Sequence, residues 1–117
     1  HFTAFTHRVG SDSFEYGDSM HDSPDLAVGH LLQQSLSTKR VPLPSAVVSG
    51  TINRQGGSNG GGGSCGVASF NFIQRHITPG RRMWAGSMAR EFRDEILGNL
   101  IHYSVLSQES VGTANQW

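Results

Sequence analysis

The chain has 117 residues, 36% of them hydrophobic, and nine basic residues balance nine acidic ones. That length suits one small domain with a modest core. Zero net charge without a basic stripe excludes an evident nucleic-acid surface, and no apolar run approaches the about 20 residues that cross a bilayer. The opening "HFTAFTHRVG" lacks the basic end and apolar core of a secretory leader, and its start on His1 without a Met reads as a fragment or excised domain. One cysteine, Cys65, makes no internal disulfide and fits a reducing, intracellular setting, nuclear or cytoplasmic.

"HFTAFTHRV" is rich in aromatic and Thr residues and reads as a strand over about 2–8, with a turn at "GSD". "SFEYGDS" sets Phe14 and Tyr16 against Glu15 and reads as the second strand of a hairpin. A helix then opens with Ser23 as N-cap and Pro24 at its first position. Leu26, Val28, Leu31, Leu32 and Leu36 give it an apolar pattern that Gly29 weakens. "KRVPLPS" breaks the helix, and the β-branched "SAVVSGTI" is a third strand.

The Gly-rich "RQGGSNGGGGSCGVASF" follows and leads into a helix with Val67, Phe70, Ile73 and Ile77 on one face, Ala68 and Phe72 on the other. A helix apolar nearly all round is a buried one, so Phe70 and Phe72 are assigned to the core. "TPGRR" ends it, with Arg81-Arg82 as a solvated turn. A last helix over about 86–106 turns Met88, Phe92, Ile96, Leu100 and Ile101 inward and Arg90, Arg93, Asp94 and Glu95 outward. Trp84 is expected to anchor the packing of the last two helices. The order is β, β, α, β, loop, α, α, an α+β domain without internal repeats, and residues 110–117 are a polar tail.

Two readings fit Cys65. It is a small buried residue, the commoner role of a lone cysteine, or a nucleophile presented at a helix N-terminus, where the dipole favours a thiolate and loop N–H groups face an oxyanion. Gly66 would allow a tight turn there. A nucleophile needs a base, and the base an orienter. His1 opens one strand and Asp18 ends its antiparallel partner, so both fall at one edge of the pair. His7, His21 and His30 read as surface or turn residues, and His76 and His102 as residues near helix ends, where charge serves capping. The Cys/His spacing is too wide for a metal site.

"HFTAFTHRVGSDSFEYGDSM", a helix, and then "SCGVASFNFI" together resemble the catalytic core of the SUMO-specific and related ubiquitin-like-protein proteases, which adenovirus-type proteases share. The family pattern is a His-aromatic pair opening a strand, an Asp-Ser ending the next, and a Gln ahead of a Cys-Gly at a buried helix. His1-Phe2, Tyr16-Gly17-Asp18-Ser19 and Ser64-Cys65-Gly66-Val67 match it in order. "MWAGSMAREFRDEILGNLIHY" is similar to the closing helix of protease-like domains from fungal mobile elements, and the likeness covers about residues 1–106.

The resemblance implies a papain-like cysteine proteinase core truncated at its N-terminus, with residues 1–109 as the C-terminal part of the domain. It implies a peptidase or isopeptidase that cuts after the Gly-Gly end of a ubiquitin-like modifier, without cofactor, metal, nucleic acid or membrane. His1 would be the general base, Asp18 its orienter, Cys65 the nucleophile and Gln55 the oxyanion donor beside the Cys65 N–H. The family's Gln stands closer to its Cys; here Gln55 lies ten residues before Cys65, and Asn59 is the reserve amide. The family's region ahead of the His, with part of the modifier-binding surface, has no counterpart in this chain. The rival reading is a truncated or degenerate module that binds a modifier or partner protein without cutting it.

Overall fold

A computed structural model describes residues 1–55 and 63–114. Its elements are β1 (Ala4–Thr6), β2 (Ser13–Gly17), α1 (Leu26–Leu36), β3 (Ala46–Ser49), α2 (Cys65–Ile77), a 3-10 turn at Gly86–Met88, and α3 (Ala89–Ala114). The order and the α+β class agree with the sequence reading. The strands are shorter than expected, three residues where seven were read for β1 and four for the third strand.

The strands of the described residues lie in the order β1-β2-β3. β1 and β2 are antiparallel with Ala4 opposite Gly17 and Thr6 opposite Glu15, and Gly10, at φ +88°, turns the chain between them. β3 runs parallel to β2, with Phe14 opposite Val47. A parallel partner demands a crossover, and α1 supplies it.

α1 starts later than the Ser23-Pro24 signal suggests. Asp25 is the N-cap, its Oδ1 accepting from the Ala27 N–H at 3.0 Å. Gly29, read as a weak point, is the buried residue of α1 and its contact with β3: a Cβ there would stand 2.1 Å from the Ser45 carbonyl oxygen and 2.7 Å from Val47 Cγ2. Leu26, Leu31 and Leu36, expected as an apolar face, are exposed, because the helix approaches the sheet through its glycine.

α2 buries one face rather than nearly its whole surface, so of the two phenylalanines assigned to the core Phe72 lies in it and Phe70 does not. Ala68, Ser69, Asn71 and Phe72 point inward, while Phe70 is 43% exposed and Ile73 and Ile77 are also exposed. The reason lies in the sheet. Phe72 packs onto Gly17 and Gly50, where an added Cβ would come within 2.6 and 2.8 Å of its ring, so those glycines form the notch that sets the rotation of α2. His76 adds a bolt, with Nδ1 at 2.8 Å from the Phe72 carbonyl oxygen and Nε2 paired with Glu15 of β2.

Trp84 is fully buried with Ala68, Ala89 and Phe92, so it does anchor α2 to α3. Buried Asn71 fixes its segment from both sides: Oδ1 accepts from the Trp84 N–H at 2.7 Å and Nδ2 donates to the Arg82 carbonyl at 2.9 Å.

Among the described residues, only the start of α3 reaches this core. Phe92 is buried and Ile96 half-buried, but Leu100 and Ile101, expected inward, are 61% and 57% exposed. At 1.5 Å per residue α3 is about 39 Å long and the 13-residue α2 about 20 Å, so α3 outruns the surface offered to it. It also extends past the expected end near 106 to Ala114, into the 110–117 stretch read as a polar tail, and His102 therefore lies inside a helix rather than near its end.

Candidate active site

The hairpin register that pairs Ala4 with Gly17 carries His1 and Asp18 to one edge of the sheet. There His1 Nε2 lies 2.6 Å from Asp18 Oδ1. Asp18 is 4% exposed, yet well supplied with donors. Oδ1 also accepts from the Met20 N–H at 2.9 Å, and Oδ2 accepts from the Tyr16 hydroxyl at 3.2 Å. An ionised carboxylate is acceptor-only, so every one of these groups can donate to it. Burial, and then the adjacent Asp18 charge and hydrogen bond, push the Tyr16 hydroxyl above its ordinary value of 10.0, so Tyr16 keeps the proton it donates.

This geometry sets the roles of the imidazole nitrogens. Asp18 requires a proton on Nε2, which leaves the Nδ1 lone pair of neutral His1 as the basic position. The imidazole itself is partly open to solvent.

The edge docks on α2 through the next residue. The Phe2 carbonyl accepts from Ser69 Oγ at 3.1 Å, and the Phe2 ring lies over Gly66, at 3.7 Å from where a Cβ would be. Cys65 and Ser69 are one helical turn apart and share a face. Cys65 therefore opens the face of α2 that meets the His1-Phe2 segment, and its thiol is only partly buried.

The turn into α2 differs from the one read in the sequence. Gly66 lies inside the helix, and the positive φ, +74°, belongs to Gly63. Ser64 is the N-cap, but its hydroxyl caps no helix N–H. Its carbonyl receives the Ala68 N–H at 2.9 Å, and its fully buried Oγ accepts from Arg93 Nη2 at 2.8 Å. The N–H groups of the first turn consequently lack helical acceptors, as donors aimed past the helix end do.

Gln55 is tied to the Asp18 corner. Its N–H donates to the Ser19 carbonyl at 2.8 Å, and its side-chain oxygen accepts from Ser19 Oγ at 2.9 Å. That orientation uses the carbonyl of the amide and leaves its NH₂ as a donor. Asn59 lies outside the described residues.

The structure thus joins His1 to Asp18, seats the residue after His1 against the first two turns of α2, and places Gln55 beside Ser19. Ser69 and the Arg93–Ser64 pair escaped the sequence reading. Ser69 was discoverable as the residue one turn after the cysteine; Arg93 carried no local signal. The remaining histidines behave blandly: His7 meets the Ser11 carbonyl at 3.0 Å, His21 the Ile52 carbonyl at 2.7 Å, and His30 is exposed. Among the described residues no cluster of His, Cys, Asp and Glu is arranged to hold a metal, and no helix is long and apolar enough to cross a membrane. No family model, curated protein or solved structure matches the chain.

Proposed function

We propose that the chain carries the catalytic core of a papain-like cysteine peptidase, cutting after the Gly-Gly end of a ubiquitin-like modifier. The observation that supports this most is the His1 Nε2–Asp18 Oδ1 hydrogen bond of 2.6 Å on a segment docked against the helix that begins with Cys65. A base, its orienter and a nucleophile at a helix start form the triad arrangement that activates a thiol.

In this reading His1 Nδ1 takes the Cys65 proton, and Sγ attacks the carbonyl carbon of the terminal glycine. The oxyanion is met by the Cys65 N–H and by the Gln55 amide, whose NH₂ remains available. Collapse breaks the C–N bond, and the leaving amine, a lysine side chain or a peptide N-terminus, takes the proton from His1. Water, deprotonated by His1, then attacks the thioester, freeing the glycine carboxylate and restoring the thiol. The Gly-Gly specificity rests on the motif resemblance alone.

The test is labelling of the purified chain by SUMO and ubiquitin carrying a C-terminal electrophile. Labelling abolished by both Cys65→Ala and His1→Ala supports the reading and names the modifier. A folded chain that labels with neither probe is a non-catalytic module.

A further inference from the structure

The Ser64 hydroxyl is fully buried at an N-cap, yet it accepts no hydrogen bond from the helix it caps. A serine there ordinarily receives the N–H of the second or third helical residue, here Gly66 or Val67. Ser64, at φ −95° and ψ 9°, departs from the extended backbone of a capping residue, and its oxygen faces Arg93 Nη2 at 2.8 Å. Arg93, itself exposed, follows Phe92 on α3, and Phe92 is buried against Trp84 and Ala68. The guanidinium is thus aimed from the core-anchored start of α3 at the residue immediately before the cysteine.

We infer that Arg93 is a positioning residue for the cysteine elbow. It draws the Ser64 oxygen away from the first-turn N–H groups, which stay unquenched for a developing oxyanion, and it holds the backbone that sets the direction of Cys65. Arg93 touches neither the thiol nor the carbonyl under attack; it acts through Ser64. The catalytic part of this inference rests on the proposed peptidase reading, whereas its structural part stands by itself.

Two measurements test it on the full chain. By amide hydrogen exchange, Arg93→Ala releases the Ser64 hydroxyl to cap Gly66 or Val67, so exchange at those amides slows while that of Phe72 to His76 in the same helix is unchanged. The additional Ser64→Ala change returns it to fast exchange. Unaltered exchange at Gly66 and Val67 in Arg93→Ala overturns the inference, whatever the probes show.

With a modifier-derived fluorogenic substrate, Arg93→Ala lowers kcat about tenfold to a hundredfold, the scale of losing a charged hydrogen bond. KM changes by less than about twofold, because ground-state binding is untouched. Arg93→Lys recovers a part, and Ser64→Ala with Arg93→Ala loses no more than Arg93→Ala alone. Equal losses in kcat and affinity, or additive losses in the pair, refute the positioning role. Failure of the wild-type chain to react while the exchange result holds removes the peptidase reading and leaves the elbow tether.

Discussion

Replacing Asp18 by Asn separates the two services a triad carboxylate performs, fixing the tautomer of the histidine and stabilising its imidazolium. In serine proteases the same change costs about 10⁴ in kcat because the amide selects the wrong tautomer. The surroundings of Asp18 predict a smaller loss. Oδ1 receives two hydrogen bonds, from His1 Nε2 and from the Met20 N–H, and the backbone donor cannot reverse its role. An Asn amide must therefore place its oxygen at the Oδ1 position, since its NH₂ there would face the Met20 N–H. The NH₂ then faces the Tyr16 hydroxyl, which turns from donor to acceptor. His1 keeps its proton on Nε2 and its lone pair on Nδ1.

What is lost is the charge. A hydrogen bond to an ionised partner is worth about 1.5–3 kcal/mol and a neutral one about 0.5–1.5, a difference of roughly 1–2 kcal/mol. At about 1.4 kcal/mol per factor of ten, Asp18→Asn slows labelling by a Gly-Gly electrophile about 5- to 30-fold. Asp18→Ala, which removes the tautomer control as well, falls well below it. Second-order labelling rates for the three proteins, compared at equal folded fraction, measure this. A loss of 10³ or more in Asp18→Asn refutes the claim that Met20 fixes the amide. No loss refutes the participation of Asp18 altogether.

Gly29→Ala gains about 1 kcal/mol of helix propensity but sets a methyl group 2.1 Å from the Ser45 carbonyl oxygen. The forced separation of α1 from β3 costs about 1–3 kcal/mol or more, so thermal denaturation should show a lower Tm; a higher one would contradict the close approach. Tyr16→Phe removes the hydroxyl from the Asp18 carboxylate and lowers stability by about 1.5–3 kcal/mol at neutral pH, read by urea titration. The folded wild-type chain holds the Tyr16 proton more tightly than the unfolded chain, so that contribution is complete below pH 10.0 and is lost as pH rises through the higher folded value. The stability difference between wild type and Tyr16→Phe should therefore shrink from about pH 10 upward; a constant difference would count against it. Ser69→Ala frees the Phe2 carbonyl and should slow labelling more than it slows direct alkylation of Cys65 by iodoacetamide, because the base moves while the thiol stays.

The order of elements was readable because hairpin, helix and breaker signals are local. The His1-Asp18 edge was readable too, since antiparallel pairing turns sequence spacing into proximity. The buried face of α2 was not. Val67, Phe70, Ile73 and Ile77 make the more obvious stripe, but Gly17 and Gly50 create the notch that accepts Phe72, and a notch made by missing side chains has no hydrophobic signal. The same holds for Gly29, whose use depends on the distant Ser45. Leu100 and Ile101 followed the helical period faithfully, but periodicity says nothing of where the neighbouring surface ends. At the candidate site, Arg93 looked like any other outward charge on α3. Its meeting with Ser64 spans 29 residues and depends on the core cluster that orients α3.

The bond between Ser69 and Phe2 closes a loop of 67 residues. Such closure costs entropy that neither the hairpin nor α2 recovers separately, so the docking of the hairpin edge on α2 belongs to the late stages of assembly. Local opening of this one seam would part the hairpin edge from α2 while both flanking elements kept their internal hydrogen bonds, so exposure of the Phe2 ring would report the state of the seam rather than the amount of helix or strand.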